Sequence, residues 1–164
     1  MPNVPSIYLD TSVINFLYAT DAPTMQTETV DFFENYIKAG LYFAFISDIV
    51  LQEINRTKDK HKRQRLLNAV RENSLRFLDI PDLSEVNDLA DRYQERGIIP
   101  VNKRADALHV AISTIKNIDY LVSWNYQHLA NVNRERRILA VNLELNYTHP
   151  FQILNPLQLM YAKN

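Results

Sequence analysis

The sequence has no cysteine and only two glycines in 164 residues. Without cysteine, disulfides, thiolate metal sites and thiol nucleophiles are excluded, so any catalysis rests on carboxylates, histidines, hydroxyls or a metal ion held by oxygen and nitrogen. Two glycines are too few for the glycine-rich turn that cradles a dinucleotide pyrophosphate. No stretch approaches the roughly 18 uncharged apolar residues of a membrane span. The N-terminal MPNVPSIYLD has neither the basic nor the apolar region of a signal peptide. A cytoplasmic protein without membrane association is expected. A formal net charge of -1 excludes a surface coated in positive charge but leaves room for local basic segments.

What is present is a core. With 46% hydrophobic residues the chain can bury most of its unfolded surface as one domain over residues 1–164. Residues 4–9 read as a strand and 12–18 as a helix that Ser12 can cap. Residues 24–39 carry helical spacing at Val30, Phe33 and Ile37 and stop at Gly40. LYFAFI at 41–46 is a strand, and Ser47 can cap a helix to about Arg56. A further helix is expected over 60–73, a strand over 75–80, a helix from Pro81 and Asp82 to Gly97, and a helix after Asn102 to about Lys116. DYLVSW at 119–124 is a fourth strand, two helical stretches fill 125–146, and FQIL at 151–154 can be a fifth strand before Pro156. Strands apolar on both faces and alternating with helices predict an α/β protein, with a central, mainly parallel sheet of four or five strands covered on both sides.

In such sheets ligands bind at the carboxyl ends of strands. Asp10 lies at one, in IYLDTSVINFLY, where it can equally cap the next helix. At about 100° per residue, Ile46, Ile49, Val50 and Ile54 define one apolar sector, and Glu53 falls inside it. A carboxylate aimed at the core needs a cation, a hydrogen-bond cluster or a metal; the alternative is a snorkelling Glu53 paired with Arg56. Asp106, in RADALHVAIS, shares a helical face with His109 and Ser113 and points away from Leu108 and Ile112, which also allows a solvated acid. His109 is read as a hydrogen-bonded structural residue. After the fourth strand, Asn125 can cap a helix or offer its amide oxygen to a metal, and Trp124 can stack on a base or fill the core.

Taken in order, LDTSVINFL, VLQEI, RADALHVAIS and DYLVSWN resemble the motifs of PIN-domain ribonucleases, in particular the VapC-like toxins of toxin–antitoxin pairs. Each motif is weak alone, and the four together span most of the chain. The resemblance implies a three-layer α/β/α sandwich and a metal-dependent endoribonuclease. It assigns Asp10, Glu53 and Asp106 as ligands of Mg²⁺ or Mn²⁺, with Ser12 and Asn125 assisting. The family's fourth position is usually acidic, and Asn125 departs from that, which puts a second metal in doubt. RNA, a cognate antitoxin protein and a second copy of the chain are the implied partners, with Phe16, Leu17 and Tyr18 available either to a dimer interface or to the core. The basic run KDKHKRQR at 58–65, and Lys103 with Arg104, can flank the crevice for RNA; a solvated helix face is the other use of such a run.

Other readings fit less well. A phosphatase of the haloacid dehalogenase type wants an acid two residues after Asp10, where Ser12 stands, and a receiver domain wants neighbouring acids near the first strand and a lysine after a late one. A catalytically silent PIN module that binds RNA or a protein is kept open by Asn125.

Overall fold

Ile7, Tyr8 and Leu9 are all fully buried, although successive strand residues point to opposite faces. Both faces of the first strand are therefore covered, as the apolar runs predict. The computed structural model describes residues 3–125 and 131–163. Its sheet has five parallel strands, β1 (Ser6–Leu9), β2 (Phe43–Ile46), β3 (Arg76–Phe77), β4 (Tyr120–Val122) and β5 (Gln152–Leu154), in the order β3-β2-β1-β4-β5. The central pairings align Tyr8 with Phe45 on one side and with Leu121 on the other.

Helices α1 (Thr11–Asn15), α2 (Pro23–Phe32), α3 (Asp48–Asn55), α4 (Lys60–Glu72), α5 (Leu83–Glu95), α6 (Arg104–Ile115), α7 (Val132–Glu144) and α8 (Pro156–Lys163) complete the layers. α5 packs against α6 and α7, α2 against α8, and α3 against α4. The fold is an α/β/α sandwich. Among the described residues no helix is long and apolar enough to cross a membrane.

Local chemistry explains most boundaries. The side chains of Ser47, Asp59 and Asp82 accept hydrogen bonds from the first amides of α3, α4 and α5, relieving donors that a helix start leaves open. Gly40 and Gly97 take φ of +77° and +69° just beyond helical segments, where a side chain would be strained.

Several expectations are revised. The first helix begins at Thr11 rather than after Ser12 and tightens into a 3₁₀ turn over Phe16–Tyr18. The second ends as α-helix at Phe32 and continues as a π turn, Phe33–Ile37. β3 is an edge strand of two residues rather than 75–80. α6 follows Lys103 without a side-chain cap, so Asn102 does not serve as one. Asn131, not Asn125, caps α7, and residues 126–130, where an additional helical stretch was expected, lie outside the described residues. A helix opens at Pro156, where no element was expected. Asn155 Oδ1 accepts from Gln158 N (2.9 Å) and Gln158 Oε1 from Asn155 N (2.9 Å), a reciprocal capping box that opens α8.

Candidate active site

With the order β3-β2-β1-β4-β5, the chain leaves β1 toward one edge of the sheet and returns through β4 toward the other. The carboxyl ends of β1 and β4 thus flank the crevice where open α/β sheets bind ligands. Asp10 follows β1 there, and Ser123, Trp124 and Asn125 follow β4. Asp10 occupies the residue before α1 but makes no side-chain capping bond. The capping alternative for this acid is not what the structure contains. Its Oδ1 accepts from Ser12 Oγ (2.5 Å), whose oxygen in turn accepts from Trp124 N (3.0 Å), while Asp10 N donates to Val122 O (3.1 Å). The Asp10 carboxyl is 3% exposed. Burial pushes its pKa above the usual 3.8, the Asp106 charge adds to this, and the His109 ring and the Ser12 and Ser123 hydroxyls pull it back.

Glu53, on α3, enters the same crevice and is braced on one oxygen. Its Oε1 meets Thr11 Oγ1 at 2.6 Å and His109 Nε2 at 2.7 Å. Burial tends to raise its pKa, but the His109 hydrogen bond and charge and the Thr11 hydroxyl outweigh burial, and the net shift is downward. The cluster of hydrogen bonds is thus what a core-facing Glu53 requires, and Arg56 adds a weaker favourable charge.

Behind Glu53 runs a buried chain of polar groups. His109 Nδ1 meets the Tyr8 hydroxyl at 2.7 Å, and that hydroxyl meets Ser47 Oγ at 2.6 Å. A carboxylate only accepts, so Nε2 of His109 donates to Glu53. With the ring neutral, Nδ1 accepts from Tyr8, which accepts from Ser47; with the ring charged, Nδ1 donates to the Tyr8 oxygen, which donates to Ser47. Burial holds the Tyr8 hydroxyl far above its ordinary pKa, so it stays protonated. Both nitrogens of His109 are engaged inside the protein, as befits a structural histidine. Tyr8, Ser47 and Thr11 lie outside the sequence-derived site; a hydroxyl amid the apolar residues of β1 was the only trace of the first.

Asp106 sits in the first turn of α6, on the face that carries His109 and Ser113, both of which are buried. Asp106 itself is half-buried with Oδ2 shielded from solvent, which argues against a freely solvated acid. Asp10, Thr11, Ser12, Asn15, Glu53, Asp106, His109 and Asn125 together line one open cleft of about 260 Å³. Asn125 donates its backbone N–H to Ser123 Oγ (2.9 Å). All five residues singled out in the sequence border this cleft.

Among the described residues, no three Asp, Glu or His side chains are gathered so as to hold a metal ion as they stand. The donor set is nevertheless the right one for a hard divalent cation, being carboxylate and amide oxygens without a thiol.

Arg104, expected beside the cleft, is engaged elsewhere, and Trp124 takes the core reading of the two it was given. Arg104 reaches Asp91 Oδ1 (2.7 Å), Gln94 Oε1 (2.9 Å) and Asn87 Oδ1 (3.0 Å) on α5, so it ties two helices together rather than facing the crevice. Trp124 is buried, donates Nε1–H to Thr29 Oγ1 (2.9 Å) and packs on Phe16 (ring centroids 6.0 Å apart), which makes it a core residue. Leu17 is buried too, while Phe16 and Tyr18 are half-buried against the core.

The chain superposes on a chain of the crystal structure of VapBC2 from Rickettsia felis bound to a DNA fragment from their promoter, with a TM-score of 0.54. The fold is PIN-like. The match covers 92% of this chain and 98% of the other at 19% sequence identity. No protein-family model matches the sequence, and no curated protein matches it significantly. At this identity the likeness concerns the fold, and the chemistry has to be argued from the cleft itself.

Proposed function

We propose that the protein is a metal-dependent endoribonuclease and the toxin of a toxin–antitoxin pair. The observation that carries this is the convergence of Asp10, Glu53 and Asp106, from three distant parts of the chain, on one cleft at the switch point of a PIN-like sheet. The Asp106 charge disfavours an ionised Asp10, and acids lining one cleft repel an RNA phosphate unless a cation joins them. Asp10, Glu53 and Asp106 would hold Mg²⁺ or Mn²⁺, with Asn125 able to add an amide oxygen. A bound divalent ion supplies an activated water and neutralises charge on the scissile phosphodiester.

The chain's own residues do the positioning. Ser12 holds Asp10 at the strand end and ties it to the backbone after β4. Thr11 and His109 fix Glu53 through one oxygen. The antitoxin partnership is supported by the fold likeness to a chain of a VapBC2 complex.

The test is Mn²⁺- or Mg²⁺-dependent cleavage of single-stranded RNA by the purified protein. Activity should be lost in Asp10→Ala and Asp106→Ala while circular dichroism stays unchanged. A second reading, a silent PIN module that binds RNA or a protein, is favoured by the amide at Asn125, where a fourth acid would stand. RNA binding that survives both substitutions, with no cleavage under any divalent metal, would select it. Growth arrest on expression, relieved by the product of an adjacent small gene, would support the toxin role; harmless expression would end it.

A further inference from the structure

Next to the acidic cleft, and sharing Asn15 with it, lies a larger groove of about 570 Å³ formed by the turn after α1 and the start of α4. Phe16, Tyr18, His61, Lys62 and Arg65 line it. The Arg65 guanidinium lies over the Tyr18 ring at 4.9 Å from its centroid, and Arg65 is exposed. Lys62 and Arg65 project from one side of α4, at the spacing that makes side chains neighbours on a helix. They belong to the run KDKHKRQR, where five cations face one carboxylate, Asp59. Asp59 is occupied by the amides of His61 and Lys62, and Asp21 is the other acid in the groove.

We infer that this groove is the track for the RNA strand leading into the acidic cleft, a reading that rests on the proposed nuclease function and adds where the substrate lies. Lys62 and Arg65 meet backbone phosphates. The Tyr18–Arg65 pair offers a cation–π platform to one unpaired base, since a guanidinium and an aromatic ring both stack with bases whatever their identity. Bases of a duplex are already stacked on each other and cannot use that platform. The track therefore takes a single strand of RNA, held with little sequence preference at this point. The acids of the cleft repel phosphate, and a cationic track beside them keeps the strand in place up to the cut.

The test is fluorescence anisotropy with a labelled single-stranded RNA of about twelve nucleotides in EDTA, which prevents cleavage, across a salt series. A matched RNA duplex and a cleavage assay in Mn²⁺ run in parallel. Lys62→Ala and Arg65→Ala should each lower the slope of log K against log salt by about 0.7, the loss of one phosphate contact. Tyr18→Leu, which keeps the apolar packing, should weaken single-strand binding about tenfold and leave duplex binding unchanged; circular dichroism checks the fold. Should the wild type bind the strand while these variants bind with unchanged affinity and slope, the track is overturned and the nuclease reading stands if RNA is still cut. Track-dependent binding without cleavage under any metal supports the track and sinks the nuclease. No binding by the wild type overturns the track, whatever the cleavage assay gives.

Discussion

His109 and Glu53 meet at 2.7 Å, Nε2 to Oε1, the imidazole almost fully buried and the carboxylate at the wall of the cleft with 29% of its side chain exposed. Tyr8 and Ser47 stand behind the ring, so groups outside the cleft brace the histidine that, with Thr11, orients a cleft carboxylate.

His109→Leu should therefore lower divalent-metal affinity or cleavage about 10- to 100-fold, the usual cost of removing a group that orients a ligand. Tyr8→Phe strands His109 Nδ1 and the Ser47 hydroxyl in the interior and should cost about 1–3 kcal/mol of stability. Isothermal calorimetry with Mn²⁺ measures the first effect and urea unfolding the second. Unchanged metal affinity in His109→Leu would mean that the ring is only core.

The two neighbouring acids should respond to pH in opposite senses. Asp10 has a raised pKa, so the folded state holds its proton more tightly and stability falls as pH rises from about 3.8 through the raised value. Asp10→Asn should thus melt higher than the wild type at neutral pH without metal, with the difference vanishing below about pH 4. Glu53 has a lowered pKa, so its contribution is present above the ordinary 4.5 and is lost as pH falls through the lowered value. Glu53→Gln should melt lower than the wild type at neutral pH and match it in strong acid. Thermal melts across pH read both.

Asn125→Asp should raise Mn²⁺ affinity by restoring a fourth carboxylate beside Asp10 and Asp106, and calorimetry should then register a second ion. Stoichiometry unchanged from the wild type would show that residue 125 contributes nothing to ion binding. Thermal melts should also rise on Mn²⁺ addition in the wild type but not in Asp10→Asn, because an ion that binds only the folded state stabilises it.

Arg104→Ala should cost about 1 kcal/mol by uncoupling α5 from α6, the ordinary scale for a half-exposed ion pair with added hydrogen bonds. It should leave the salt dependence of RNA binding as it was, unlike Lys62→Ala. A reduced salt slope in Arg104→Ala would return this residue to the crevice.

Much of the fold was legible because its signals are local. The double-sided apolar strands require a covered parallel sheet, and Ser47 and Asp82 mark helix starts by chemistry confined to three or four residues. α8 had a local mark as well, Asn155 with Gln158, hidden behind a proline that reads as a stop but is well placed in a first turn. β3 was overlong on paper because an apolar run does not say how much of it finds a partner.

By itself the sequence determined the succession of strands and helices and placed Asp10, Glu53 and Asp106 at strand ends or on helices near them, since periodicity and caps act within a few residues. It also showed that Glu53 needed a partner. Tertiary structure alone decided that the partner is His109, that Tyr8 and Ser47 stand behind it, that Arg104 turns to α5, and that β4 lies beside β1 so that Asn125 lines the same cleft as Asp10. The reason is physical: hydrophobic pattern reports which side of an element is buried, whereas the identity of the group met there follows from how the strands are ordered and the helices packed.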